Sequence, residues 1–343
     1  MPWTPRPFAK QIKRKPNEGC TIAVLPLFGF FVFRLHLDYI IYKADSMNYI
    51  IENDCLRVTI TSLGAEVISV VNKETGKELW WNADPAYWAG YSPILFPACG
   101  GLWNGEYKYQ GKTYKMVKHG FVRTMEFTPA GEPEYGRISL GVQETEETME
   151  QYPFAFNLTI TYTLEGKTLT CNASVANPSD TEVLHYQIGG HPAIMLPDFQ
   201  KDAEVVGYMR PEPKEGLSVV RASEQGCFGG ERYYVPQTEE GLIPISVDTF
   251  HNEALIFDKW QVKAMTLLRT DKKTEICRIS HGAPVLLVWQ MTDLLCPYVC
   301  VEPWYGMPDR IGYSVELDIR PYSQHAMPGQ VSMHNLWDIE FCL

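Results

Sequence analysis

The alternation of apolar and polar residues at every second position is the feature that most limits what this chain can fold into. In the segment LTITYTL, Leu158, Ile160, Tyr162 and Leu164 alternate with threonines, and the segment TLTCNASV repeats the pattern after a Glu-Gly-Lys turn. A period of two places every second side chain on the same face of a strand. Each segment therefore predicts a half-buried strand, and the pair predicts a β-hairpin.

The same arrangement recurs along the chain and indicates the fold class. The segments VISVVNKETGKELWW and GEYKYQGKTYKM predict further hairpins with turns near Gly76 and Gly111. The sequence has no long amphipathic helical pattern, phosphate-binding loop, dinucleotide fingerprint or nucleophile elbow. Many strands with frequent Gly and Pro turns predict an all-β fold, a large antiparallel β-sandwich. Because no linker-like tract divides residues 47–343, we expect them to form one domain.

The first 46 residues differ from the rest. A basic stretch, KQIKRKPNEGC, precedes an apolar stretch, TIAVLPLFGFFVF, which is the order found in a signal peptide. Against that interpretation, Pro26 interrupts the apolar run, Arg34 follows it closely, and the run is too short to span a bilayer. Met47 then opens a segment that looks like the start of a domain. We expect residues 1–46 to be an extension. It is either dispensable, because the start codon has been assigned too far upstream, or used for targeting or anchoring.

Charge and cysteine content exclude several classes of partner. The formal net charge of −11 argues against nucleic acid or an anionic membrane as the partner of residues 47–343, because neutralising phosphates requires clustered Lys and Arg. The nine cysteines include no C-x-x-C pair, and no histidine cluster completes a zinc site. We therefore expect reduced thiols, a cytoplasmic protein and no metal, with an exported or anchored form left open by residues 1–46.

Two histidines have settings that would give their side chains a fixed direction. His119 is followed by Gly120 and Phe121, and His191 lies between paired glycines and Pro192. Glycine allows the backbone to approach a ligand closely, and proline fixes the path of the chain. A proton-transfer group needs such a defined direction. Each histidine alone is equally compatible with a structural role.

One glutamate has a setting suited to acid–base chemistry. Glu302 follows an apolar run and precedes Trp304 and Tyr305 in the segment CVEPWYGMPD. A carboxyl group beside aromatic surface is partly desolvated, which raises its pKa toward neutrality and makes it a better base. The two rings also offer flat apolar faces of the kind that stack on sugars.

Four segments in this order resemble the aldose 1-epimerase, or galactose mutarotase-like, family: SPILFPACGGLWNGEYKYQGKTYKMVKHGFVR, GGHPA, ALIFD and CVEPWYGMPD. The resemblance runs from about Met47 to the C-terminus and is strongest to the short bacterial branch of the family. It implies a large β-sandwich that binds a free aldohexose, such as galactose or glucose, without metal or cofactor. It also implies an isomerase that interconverts α and β anomers through the open-chain aldehyde, as a monomer or homodimer.

The resemblance assigns roles to matching positions. Glu302 is the general base for the C1 hydroxyl, and His191 is the general acid for the ring oxygen. His119 is expected to hydrogen-bond the sugar near that oxygen. Asp258 in ALIFD and Arg123 in HGFVR match sugar-contacting positions, and Trp304 offers a stacking surface.

One position departs from the family pattern. Many relatives have an arginine where this chain has Gly101, and its absence removes a bidentate donor for sugar hydroxyls or phosphate. This argues against a hexose 6-phosphate substrate. Trp103, two residues further on, offers stacking in place of that polar contact.

Three alternatives stay open from the sequence. The first is a carbohydrate-binding or sugar-sensing protein on the same fold with little catalysis, which Gly101 favours. The second reads His119, His191 and Glu302 as an iron site, although neither histidine begins the H-x-[DE] segment usual for such sites. The third is a glycoside-cleaving enzyme that pairs Glu302 with Asp258 or Asp309.

Overall fold

The computed structural model describes residues 46–132, 134–251 and 253–343. Of the predicted extension, residues 1–45 lie outside the described residues. The strands up to the middle of the chain are β1 (Asn48–Glu52), β2 (Leu56–Thr61), β3 (Val67–Asn72), β4 (Ile94–Leu95), β5 (Glu106–Tyr109), β6 (Lys112–Lys115), β7 (Thr128–Pro129), β8 (Arg137–Gln143), β9 (Asn157–Glu165), β10 (Thr168–Ala176), β11 (Leu184–Tyr186) and β12 (Ile188–Gly190).

The remaining strands are β13 (Ala193–Met195), β14 (Gly207–Glu212), β15 (Ser218–Arg221), β16 (Tyr233–Tyr234), β17 (Ile243–Ile245), β18 (Leu255–Phe257), β19 (Ala264–Leu268), β20 (Glu275–Ser280), β21 (Val285–Trp289), β22 (Tyr298–Tyr305), β23 (Gln324–Ala326) and β24 (Val331–Phe341). Two short α-helices occur in the described part of the chain, α1 (Glu146–Gln151) and α2 (Val247–Phe250). Single 3-10 turns cover Trp103–Gly105, Val122–Thr124, Glu224–Gly226 and Leu317–Ile319.

The alternating segments form the hairpins that the sequence predicts. Strands β9 and β10 pair antiparallel, with Leu164 opposite Leu169 and a turn at Gly166, whose φ is +55°. Strands β5 and β6 pair across Gln110 and Gly111, which have φ of +48° and +74°. Positive φ at both central residues matches the twist of the flanking strands, and this is why a glycine occupies the second position.

Two large antiparallel sheets form the body of the fold. One has nine strands in the order β17-β14-β19-β20-β24-β10-β9-β8-β7. The other has eight, in the order β16-β15-β18-β21-β22-β12-β4, with β13 pairing β22 beside β12. Leu158 and Leu169 from the first sheet and Val299 and Val301 from the second belong to one apolar core. Burying each such side chain stabilises the fold by about 1.5–3 kcal/mol, and the predicted all-β antiparallel sandwich is confirmed.

The other face of the eight-stranded sheet carries separate apolar clusters. On strand β22, Cys300 and Tyr298 belong to one cluster and Trp304 to another, whereas Val299 and Val301 pack in the main core. The strand alternation thus directs residues 298, 300, 302 and 304 to one face, which we call the outer face. Among the described residues, no helix has the length and apolarity that crossing a membrane requires.

Candidate active site

Glu302 lies at the centre of the outer face. It is opposite Leu287 of strand β21 and only 1% exposed. Both of its carboxyl oxygens are buried and lack a hydrogen-bond partner among the described residues. Because a buried carboxyl group without partners is costly, its retention points to a ligand that supplies the missing hydrogen bonds.

Trp304 lies two residues further along the same face. Its cross-strand neighbour is Gly189 of strand β12. A Cβ atom at Gly189 would lie 2.6 Å from Cδ1 of Trp304 and 3.1 Å from the carbonyl oxygen of Pro303. The glycine therefore makes the space in which the indole lies, and this is the physical reason for glycine in the GGHPA segment.

His191 follows strand β12 and faces Glu302. The neighbouring Pro192 accepts a hydrogen bond from the Val301 N–H at 3.1 Å, which ties this segment to strand β22. The His191 ring stacks on Trp88, with ring centroids 4.9 Å apart. Its Nε2 lies 3.1 Å from Oε2 of Glu302, within ion-pair distance but without the alignment of a hydrogen bond. The imidazole and the carboxyl group can therefore act on the same small ligand.

His119 approaches from a turn that follows strand β6. Its backbone N–H donates to the carbonyl oxygen of Gly100 at 3.0 Å, and the Gly100 N–H donates to His119 Nδ1 at 3.1 Å. A neutral imidazole whose Nδ1 accepts must carry its proton on Nε2. The ring lies 5.8 Å from the His191 ring and 5.6 Å from the Trp304 ring, centroid to centroid. His119 thus has a fixed tautomer with an Nε2–H donor.

The backbone of this turn is strained. His119 has a φ of +70°, which is uncommon outside glycine. The next residue, Gly120, has a φ of +71°, and a Cβ there would lie 2.1 Å from the carbonyl oxygen of Phe96. Strain of this kind persists where the surrounding structure fixes it, and it is concentrated at functional sites.

Burial shifts the pKa of all three groups toward their uncharged forms. Desolvation raises the pKa of Glu302 well above its usual 4.5, and the charge of Lys118 partly opposes this shift. Desolvation also lowers the pKa of His191 to about 3, with further lowering by Lys118 and Arg123. The pKa of His119 falls well below 6.5, chiefly through desolvation and then the charge of Lys118. In the ligand-free site the pair of His191 and Glu302 therefore holds a single proton.

Of two predicted contact residues, Asp258 is already paired with another side chain. Asp258 follows strand β18, and its carboxylate receives hydrogen bonds of 2.9 and 3.0 Å from Arg232. Continuing the strand register places it level with Val285 and Trp304, two strands and about 10 Å from the latter. Arg123 lies in the 3-10 turn Val122–Thr124. The positive charge of Arg123 lowers the pKa of His119 and His191. Asp258, in contrast, lies to the side of the group formed by these histidines and Glu302.

Gly101 is covered by another part of the chain. Its N–H donates to the carbonyl oxygen of Gly226 at 3.1 Å, and a Cβ at this position would lie 2.1 Å from the carbonyl oxygen of Gln225. An arginine cannot fit here unless that segment moves. Trp103 is partly exposed, and its backbone N–H donates to Oδ2 of Asp309 at 3.0 Å.

Four residues of the site were missed by reasoning from the sequence. Trp88 stacks on His191, Trp289 meets the same ring edge-on with centroids 6.0 Å apart, and Lys118 contributes charge. Cys300 is fully buried on the same face as Glu302. Only Cys300 left a signal in the sequence, because it lies two residues before Glu302 on a strand.

Comparisons with known proteins show which family and fold this chain resembles. A family model described as aldose 1-epimerase matches residues 47–219, a range that includes His119 and His191 and ends before Glu302. The galactose mutarotase related enzyme from Lactobacillus acidophilus is 31% identical, with a TM-score of 0.78, over 87% of this chain and 98% of that chain. The galactose mutarotase-like protein from Lactobacillus casei ATCC 334 has a TM-score of 0.80 at 24% identity, over 86% and 100% of the two chains.

A curated relative covers a similar length. The plasmid-encoded protein LacX of Lactococcus lactis subsp. lactis is 27% identical over 285 residues, which is 81% of this chain and 94% of LacX. The likeness thus extends over nearly the full length of each of these three proteins.

Proposed function

The chain belongs to the aldose 1-epimerase family, and we propose that it interconverts the α and β anomers of a free aldohexose, such as galactose or glucose, by acid–base opening of the ring. The observation that carries this proposal is the contact between His191 and Glu302. A proton donor and a proton acceptor lie 3.1 Å apart, both buried, with the oxygens of Glu302 free of other hydrogen bonds.

Ring opening requires two proton movements at one bond. A base takes the proton of the C1 hydroxyl, the C1–O5 bond breaks, and an acid delivers a proton to O5, which leaves an open-chain aldehyde. In our proposal sugar binding moves the single proton of the pair from Glu302 to His191, so that Glu302 acts as the base and His191 as the acid. Rotation about C1–C2 followed by the reverse steps yields the other anomer. The pair begins and ends with the same single proton, so no net proton is consumed, and each positioned group contributes about 10²–10⁴-fold to the rate.

The remaining residues bind and orient the sugar in this proposal. His119 donates from Nε2 to the ring oxygen, where negative charge develops as the bond breaks. Trp304 provides an apolar face against the sugar. Asp258, Arg123 and Trp103 contact hydroxyl groups or the rim of the site. We place this activity in the cytoplasm, where the eight free cysteines of the described residues remain reduced.

The second candidate function is sugar binding with little catalysis. It is favoured by the covering of Gly101 by Gln225, which removes the position from which relatives present an arginine. On this alternative, the protein binds a hexose with the same residues, but the sugar is held too loosely for the two proton transfers to coincide.

The anomer assay decides between the two functions. Freshly dissolved α-glucose and α-galactose are followed by polarimetry or proton NMR with the purified full chain. We expect acceleration over buffer, and a loss of about 10²–10⁴-fold in both Glu302→Gln and His191→Asn. Saturable sugar binding without acceleration, across several free aldoses, would support the binding protein. Full activity in either variant would refute the role assigned to that residue.

A further inference from the structure

Three side chains on the outer face form an unassigned group of metal-ligand type. A ring nitrogen of His191, Sγ of Cys300 and a carboxyl oxygen of Glu302 all lie within 4.8 Å of one another, and all three residues are buried. We propose that these three side chains bind one zinc ion, and that zinc and a sugar cannot occupy the site together. The zinc site does not depend on the proposed activity, whereas the competition with sugar rests on it.

The donor set suits zinc better than other abundant cations. Zinc binds imidazole nitrogen, thiolate sulfur and carboxylate oxygen, and sites with three protein ligands keep a fourth position open. Magnesium and calcium prefer oxygen ligands throughout. A site with one sulfur, one nitrogen and one oxygen therefore favours zinc or a softer cation.

The spacing also fits. Ligand atoms about 2.0–2.3 Å from a tetrahedral zinc lie about 3.3–3.7 Å from one another. His191 Nε2 and Glu302 Oε2 are already 3.1 Å apart. All three ligand atoms lie within 4.8 Å of one another, so each separation is within about 1.5 Å of the tetrahedral value.

The ligands are not committed to other partners. Both oxygens of Glu302 lack hydrogen bonds among the described residues. His191 contacts Glu302 without the alignment of a hydrogen bond. A cation here does not break an existing hydrogen-bond network at the carboxyl group.

Charge is balanced when the metal binds. The Cys300 thiol releases its proton to solvent, as does Glu302 where it is protonated, and the two resulting negative charges offset the two positive charges of zinc. The charges of Lys118 and Arg123 act against any cation at this place. We therefore expect binding only by a metal that forms strong bonds to thiolate, with no measurable binding of magnesium.

Zinc binding is measured first, without reference to activity. The metal-free full chain is titrated with zinc chloride against a chromophoric chelator. We expect one site per chain, retained in Cys296→Ala and weakened at least tenfold in Cys300→Ala. Cys296 is the matched control, because its buried thiol packs in the same apolar cluster but lies outside the donor set. Equal affinity in Cys300→Ala and the original protein would overturn the proposal.

A second measurement uses only the original protein, so it does not depend on whether Cys300→Ala folds. Cobalt(II) added to the metal-free original protein should give a thiolate-to-cobalt charge-transfer band and intense visible bands typical of four-coordinate cobalt. If the charge-transfer band does not form, Cys300 is not a ligand and the proposal is wrong.

The competition is tested last. In the anomer assay zinc should inhibit the original protein and Cys296→Ala, with inhibition relieved by magnesium-loaded EDTA, and should inhibit Cys300→Ala at least tenfold less. Zinc binding without any anomer acceleration would leave the zinc site standing and count against the proposed function. If the rate of anomer interconversion is unchanged when the zinc site is saturated, zinc does not exclude the sugar and that part of the proposal is wrong.

Discussion

The two faces of strand β22 place residues of one short segment in opposite environments. Val299 and Val301 point into the core between the two large sheets and are surrounded by apolar side chains. Cys300 and Glu302, which alternate with them, point to the outer face. Both faces are dry, since all four residues are buried. The difference lies in whether the buried groups find partners.

This difference separates the source of stability from the source of function. The valines add apolar burial and need no hydrogen bonds. Glu302 adds two unpartnered oxygens, a feature that destabilises the fold and is useful only when a ligand satisfies them. We therefore expect substitutions on the core face to alter the free energy of unfolding, and those on the outer face to alter the reaction.

The largest expected effect after those at Glu302 and His191 is at His119. His119→Asn keeps a residue that tolerates positive φ and can accept from the Gly100 N–H, but it removes the Nε2–H donor. We expect kcat/KM for anomer interconversion to fall roughly 10²-fold, because one donor to the developing charge is lost. His185→Asn, on strand β11, is the control and should retain activity. An unchanged kcat/KM in His119→Asn would remove His119 from the proposed site.

Val301→Ala tests the core face of the same strand. Removing two methyl groups from a fully buried position should lower the free energy of unfolding by about 2 kcal/mol through lost burial and the resulting cavity. The anomer rate should stay within about twofold, because the side chain points away from the site. Denaturant unfolding and the anomer assay measure the two effects. A large loss of activity with unchanged stability would contradict the separation of the two faces.

The fold follows from patterns that are local in sequence. The alternation through Leu158 and Leu164 is visible along one strand, and it predicts which face is buried without knowledge of the partner strands. Turns such as Gln110–Gly111 are equally local. Sheet order is different, because strand β22 pairs with β12, β13 and β21, and only β21 is a near neighbour in the sequence.

The site depends on that non-local pairing. His191 and Glu302 are far apart in sequence, and their association was predicted by family resemblance and not by spacing. Trp88 reaches His191 through a loop whose path has no sequence signature. The side chain of Lys118 is exposed, but its charge still lowers the pKa of Glu302. The hydrogen bond from Arg232 to Asp258 could not be predicted either, because it also joins residues that are far apart in the sequence.

We expect Glu302→Gln to change how the free energy of unfolding depends on pH, because it removes the buried carboxyl group of the outer face. Burial holds the pKa of Glu302 above 4.5 in the folded protein, so below pH 4.5 the group is protonated in both folded and unfolded chains. Above pH 4.5, the unfolded chain loses this proton whereas the folded chain keeps it. Unfolding therefore becomes more favourable as the pH rises, until the pH exceeds the pKa of Glu302 in the folded protein. The free energy of unfolding of Glu302→Gln relative to the original protein should therefore rise with pH.

Denaturant unfolding at about pH 4 and about pH 8 measures this difference. Glu165→Gln, at the exposed end of strand β9, is the control and should show no comparable rise. A difference between Glu302→Gln and the original protein that stays constant between the two pH values would mean that Glu302 is ionised in the folded protein.

The smallest expected effect comes from Lys118, whose side chain lies against Gly226. Its positive charge lowers the pKa of both Glu302 and His191. The proposed reaction needs one proton on the pair, so kcat/KM should fall on the acid side as His191 gains a proton, near its pKa of about 3, and on the alkaline side as Glu302 loses one. Removing the charge in Lys118→Met should raise both pKa values.

The whole pH profile of kcat/KM for Lys118→Met should therefore move to higher pH, with its shape and maximum little changed. Lys115→Met, an exposed residue of strand β6, is the matched control and should not move the profile. If only the maximum value of kcat/KM falls, Lys118 contacts the sugar and does not act through the effect of its charge on the two pKa values. If the profile moves to lower pH, the pair does not share one proton in the way that the buried, unpartnered oxygens of the outer face imply.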